Sequence, residues 1–142
     1  MMRVKSTGIV RVAYLETFKF GRDAVLAAMD AAGLDAFTAA LKHASAHAVS
    51  QLECDGRRLH TFRLEDGAGG VDLHDGRDDR VEWRLDQATA DEIVGMLVVM
   101  GEHNAPCHNY VDILTPADTL VLSLDEYLKP NAVVHTSPFG YF

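Results

Sequence analysis

Residues 80 to 85, RVEWRL, alternate without a break: Val81, Trp83 and Leu85 fall on one side, Arg80, Glu82 and Arg84 on the other. A period of two marks a strand with one dry and one wet face. The same period runs through RRLHTFRLE (57 to 65), where His60, Phe62 and Leu64 oppose Leu59, Thr61 and Arg63. DGAGG then reads as a turn and VDLHDG as a further strand. Residues 7 to 15, TGIVRVAYL, are β-branched and half alternating, which predicts an earlier strand. The period lengthens at Thr89, where Thr89 and Glu92 form a capping-box pattern. Ile93, Met96, Leu97 and Met100 recur at helical spacing behind it, so a helix is expected from Thr89 to Gly101.

Upstream, DAVLAAMDAAG (23 to 33) reads as a short alanine-rich helix opened by Gly21 and Asp23 and stopped by Gly33. Asp35 is placed to cap a second helix, AFTAALKHASAHAVSQL, whose Phe37, Leu41, Ala44 and Ala48 share a face. Together they predict an N-terminal helix pair. HNYVDIL and DTLVLSL read as two strands joined by TPAD, and Pro130 breaks the pattern before an apolar tail, NAVVHTSPFGYF. The expected fold is α+β, a single domain over 1–142. It has a mostly antiparallel sheet with the helix pair and one further helix packed on one face.

Composition agrees with a globular chain: hydrophobic residues make up 48% and charged residues 24%, which excludes disorder throughout. The longest apolar run, Ile93 to Met100, is too short to span a bilayer, and the first residues lack a continuous apolar signal segment. With only Cys54 and Cys107 there is no disulfide framework, so a cytoplasmic location is expected. Charge changes the picture more. Residues 86 to 142 carry eight acids against Lys129 alone, a net of −7, whereas residues 1 to 85 carry thirteen acids and twelve bases. Nucleic acid and anionic membrane are poor partners for such a surface, and a basic protein is a good one.

Candidate chemistry concentrates in GEHNAPCHNYVDI (101 to 113). His103, Cys107 and His108 offer three metal donors or a thiol with a base, the alternative of a small metal-dependent or cysteine/histidine enzyme. Their spacing matches no zinc frame, and adjacent strand residues such as Cys107 and His108 point to opposite faces. His43 and His47 stand four apart, but Ala44 occupies the place where a zincin needs glutamate. Cys107 lies in an acidic segment, which disfavours a thiolate, and Ser123 lacks the glycines of a nucleophile elbow. No phosphate-binding loop is present, and no cofactor is expected.

One arrangement survives. In HNYVDI, His108, Tyr110 and Asp112 alternate onto one face while Val111 and Ile113 join the core with Leu120, Leu122 and Leu124. The row then lies near Asp125, Glu126 and Tyr127 at the end of the next strand. Tyrosines among carboxylates on a strand face suit recognition of a basic surface. An ordinary solvated face is the plainer reading of the same row. A third possibility is a structural or oligomeric accessory protein joined through VVHTSPFGYF.

The run CHNYVDI…PADTLVLSLDEYL resembles the C-terminal strands of small bacterial immunity proteins encoded beside polymorphic or contact-dependent toxins. Some of those carry a histidine-x-tyrosine-x-aspartate strand followed by a serine-x-aspartate-glutamate-tyrosine strand end. Here these are His108, Tyr110 and Asp112, then Ser123, Asp125, Glu126 and Tyr127. The resemblance covers only these C-terminal strands. It implies a cytoplasmic neutraliser that binds a toxin domain and catalyses nothing.

Overall fold

A computed structural model of the chain describes residues 2–19, 21–54, 58–74, 79–103 and 105–128. Among them the order of elements is β1 (Met2–Ser6), β2 (Val10–Lys19), β3 (Arg22–Met29), α1 (Ala31–His47), β4 (Val49–Cys54) and β5 (Arg58–Leu64). There follow β6 (Gly69–His74), β7 (Arg80–Leu85), α2 (Gln87–His103), β8 (Cys107–Asp112) and β9 (Thr119–Leu124). Pro130 and the tail 131–142 lie outside the described residues.

The strands form two sheets, in the orders β1-β4-β5-β7-β6 and β2-β3-β9-β8. Both are mixed. β1–β4, β3–β9 and β5–β7 run parallel and the remaining pairs antiparallel, so the expectation of a mostly antiparallel sheet is too simple. Helix α1 packs on β1, β4 and β5, helix α2 on β8 and β9, and the helices pack on each other. One buried cluster draws on both sheets and both helices, with Phe37 of α1 set edge-on to Phe62 and Trp83 at 5.0 and 5.1 Å between ring centroids.

The α+β class holds, but the N-terminal helix pair does not. DAVLAAM is the strand β3, not a helix: it sits between β2 and β9 with residues from Val25 to Met29 buried on alternate faces. Asp30, not Asp35, caps α1, its Oδ1 accepting from Gly33 N at 2.7 Å and also from Ile9 N at 2.9 Å. Gly33 therefore lies inside α1 and stops nothing. A Cβ there would meet the Ile9 carbonyl oxygen at 2.0 Å, so only glycine admits this approach of the β1–β2 loop. The same helix ends earlier than predicted: Ala48 turns the chain with φ +73°, and VSQL becomes β4.

Helix α2 matches its prediction closely, with Ile93, Leu97 and Met100 buried. Its first free amides are met by Asp86, whose Oδ1 accepts from Thr89 N at 2.8 Å, in place of the expected Thr89–Glu92 box. That contact holds the Asp86 carboxyl below its ordinary range, through the Thr89 hydroxyl and then its amide. The loop after β8 ties the sheets together: Leu114 N donates to Gly69 O, and Val71 N to Thr115 O.

Candidate partner-binding face

Strand β8 is an edge strand, and its alternation turns His108, Tyr110 and Asp112 away from the main core. Register carries this outer face across the sheet: His108 lies beside Ser123 and Ser123 beside Ala28, while Tyr110 lies beside Val121 and Val121 beside Leu26. His108 and Tyr110 are half-buried, edge to face at 5.5 Å between ring centroids, and Asp112 is exposed. The predicted row thus exists.

Its floor is not the solvated surface that a one-sided sheet would have. Ala24, Leu26, Ala28, Val121 and Ser123 are all buried, and with Phe18 the apolar ones form a second, smaller cluster behind the main core. Leu15, Tyr110, Tyr127 and Leu128 pack against it. Phe18 reaches this position because β2 is irregular between Leu15 and Lys19, where Thr17 takes φ +48°. Hydrogen bonds from Tyr14 Oη to Asp23 Oδ2 and from Thr17 N to Asp23 Oδ1 hold the bend. The same two contacts keep the Asp23 carboxyl below its ordinary range, the Tyr14 hydroxyl contributing most.

Asp125, Glu126 and Tyr127 follow β9 in a tight turn, with Asp125 at φ +57° and Tyr127 at +58°. Left-handed backbone is costly for residues other than glycine and persists where surroundings hold it. Here Asp125 N donates to Met29 O at 2.8 Å. The turn folds the Glu126 carboxylate back over the sheet, where Oε1 accepts from Ser123 Oγ and from His108 Nδ1, each at 3.2 Å. Glu126 is consequently not the solvated acid that its place at a strand end suggested: its side chain is only 19% exposed. The Tyr127 phenol is pushed up to about 12, by burial first and then by Glu126 and Tyr110.

As chemistry, this group is a clamp. A hydrolytic triad needs histidine between serine and acid, whereas here the carboxylate is the shared acceptor and Ser123 is fully buried. Cys107 is turned towards the main core, and burial followed by Glu126 and Asp125 raises its thiol above the ordinary range, which opposes a thiolate. The alternative three-donor site does not assemble. His103 ends α2 in solvent, Cys107 joins the main core and His108 lies on the outer face. Among the described residues no group of three or more His, Cys, Asp or Glu side chains is arranged to hold a metal ion. His43 and His47 do approach, with ring centroids 4.3 Å apart on α1.

A recess of about 390 Å³ opens beside the clamp, lined by Phe18, Arg22, Asp23, Ala24, Tyr110, Asp112, Thr119 and Val121. The residue pattern points to Tyr110 and Asp112 but not to Phe18, which lies beyond the strand predicted over 7 to 15, nor to Asp23, which reads as a helix start. The available signal was Gly21 between two apolar runs, YLETF and DAVLAAM, a hairpin pattern. Among the described residues no helix is long and apolar enough to cross a membrane. Compared with family models, with curated proteins and with solved structures, the chain matches none.

Proposed function

We propose that this chain is an acidic protein-binding module of the immunity type, neutralising a basic toxin domain or enzyme by occlusion. One observation carries the reading. The stretch from 86 to 128 holds no lysine or arginine, and on the outer face of β8 and in the turn after β9 half-buried Tyr110 and Tyr127 stand among Asp112, Asp125 and Glu126. Carboxylates of one sign steer a basic partner to the surface, and tyrosines supply contact area once it arrives. Asp112 and Asp125 are the exposed acids of this face, so they bear the electrostatic part. Carboxylates in that position also stand in for the phosphates that a nucleic-acid-directed enzyme binds.

The test is isolation of the partner by pull-down from the source cell, followed by association kinetics at several salt concentrations. Screening shortens from about 10 Å at 0.1 M to about 3 Å at 1 M, so the on-rate should fall markedly over that range. Asp112→Ala and Asp125→Ala should slow association further. An acidic partner, or an on-rate indifferent to salt, overturns the proposal.

A further inference from the structure

His43 and His47 take no part in the acidic face. They stand in the C-terminal half of α1, which packs on α2, β4 and β1, whereas that face is built on β8 and β9. A spacing of four brings two side chains to one side of a helix. Their other helical neighbours, Ala39, Ala40, Ala44 and Ala46, are all alanine, so nothing bulky on α1 screens the two rings. His43 is half-buried and His47 exposed, which leaves the pair within reach of ions in solvent. The ring centroids are 4.3 Å apart and the ring planes 31° from parallel.

That separation can be set against what one shared ion requires. A metal–nitrogen bond of about 2.0–2.1 Å puts each imidazole centroid about 3.2 Å from the ion. Two rings at a right angle about the ion then have centroids about 4.5 Å apart, and two at the tetrahedral angle about 5.2 Å. The observed 4.3 Å lies close to the first value and about 0.9 Å short of the second. A turn of each ring about its terminal torsion, which is soft, aims a nitrogen lone pair of both at one point. The location also favours a cation, since His47 lies in the last turn, at the negative end of the helix dipole. Lys42, the one lysine of α1, lines the recess towards α2, on another side of the helix.

We propose that His43 and His47 form a two-histidine clip for one divalent metal ion that takes right-angled nitrogen donors, nickel(II) or copper(II). Such ions prefer tetragonal surroundings, whereas zinc in a closed protein site is tetrahedral and takes four protein ligands. Water fills the positions that the two rings leave. The bound ion staples the last turns of α1 and stabilises the folded chain, because the unfolded chain does not hold the rings together. The clip is independent of the reading of the chain as a binder of basic proteins.

The experiment titrates the full, untagged chain with copper(II) chloride, followed by electron paramagnetic resonance, and with nickel(II) chloride, followed by thermal melting. The first copper bound per chain should show hyperfine splitting from two nitrogens, and the melting temperature should rise with nickel concentration. His43→Ala and His47→Ala should each weaken binding at least about tenfold, by losing the second donor held at high effective concentration. His43→Ala combined with Lys42→His keeps the total of seven histidines but sets the pair five apart, off a common face, and should bind as weakly as the single variants. The nitrogen count comes from the unaltered chain and stands whether or not a variant folds. Copper held by one nitrogen only, or undiminished binding in the five-apart variant, overturns the clip and leaves isolated histidines scavenging metal. So does binding that disappears only when His103 and His108 are replaced, or a melting temperature indifferent to saturating nickel.

Discussion

The two sheets treat their outer faces in opposite ways. On the five-stranded sheet the outer positions pair charges in solvent: Arg63 with Glu82 and Arg84 with Asp72, each at 2.9 Å, and Arg3 with Glu53 at 3.8 Å. With Lys5 and Arg80 on the same side, the described strands of that face carry five bases against three acids, so it is wet and charged across its width. The outer face of the four-stranded sheet is dry at its centre, and its carboxylates at Asp112 and Asp125 meet no arginine or lysine from their own stretch of chain. Arg11 of β2 and Arg22 of β3 share that side, so the two faces differ in the dry centre of one and not in a lack of opposite charge.

The sharpest way to break this comparison is to truncate one outer-face residue on each sheet. Leu26 is 4% exposed in the smaller cluster, so Leu26→Ala should cost about 2–5 kcal/mol, as buried leucines do. Arg63→Ala removes only a solvated ion pair and should cost less than about 1 kcal/mol. Urea unfolding measures both. Similar values for the two variants would show that both outer faces are ordinary surface.

Within the four-stranded sheet, Glu126 should come next in effect. Glu126→Ala leaves the buried Ser123 hydroxyl without its acceptor and should cost about 1–3 kcal/mol. A loss below about half a kcal/mol would mean that Ser123 is satisfied elsewhere. The consequence for binding studies is direct: a weakened complex with a Glu126 variant reports on architecture as much as on contact.

The same comparison explains what was legible in the sequence. RVEWRL and RRLHTFRLE have one wet face each, so their alternation survives in the residues and the predicted strands β7 and β5 appear nearly where expected. DAVLAAM is buried on both faces, which erases the alternation, and its alanines then imitate a helix. The cap was misplaced with it, since Asp30 was read inside a helix and not at the start of one. For the candidate site, the edge strand β8 kept its period, so His108, Tyr110 and Asp112 were found. Phe18 and Asp23 were not, because a bend in β2 and a hairpin bring them there from far along the chain. The fold-back of Glu126 depends on two left-handed residues that carry no glycine to announce them.

Alkaline titration sharpens the picture at Tyr127. Its folded-state value of about 12 stands above the ordinary 10 of a free phenol, so the folded chain holds this proton more tightly. The associated stability is complete below about pH 10 and is lost as the pH rises through about 12. Phenolate absorbance should therefore show a step near 12 that Tyr127→Phe removes, together with part of the alkaline loss of stability. A Tyr127 step near 10 would place its ring in solvent and detach it from the smaller cluster.

The smallest expected effect on folding belongs to Asp112. It is exposed on an edge strand, and its neighbour across the ladder is Thr119. Asp112→Ala should change stability by less than about half a kcal/mol, the range for surface positions away from caps and networks. Held beside Glu126, this divides the acids of one face into a structural member and an available one. A melting temperature unchanged by Asp112→Ala, together with a slower on-rate for a basic partner, would assign Asp112 to recognition. Destabilisation comparable to that of Glu126→Ala would instead make Asp112 part of the scaffold.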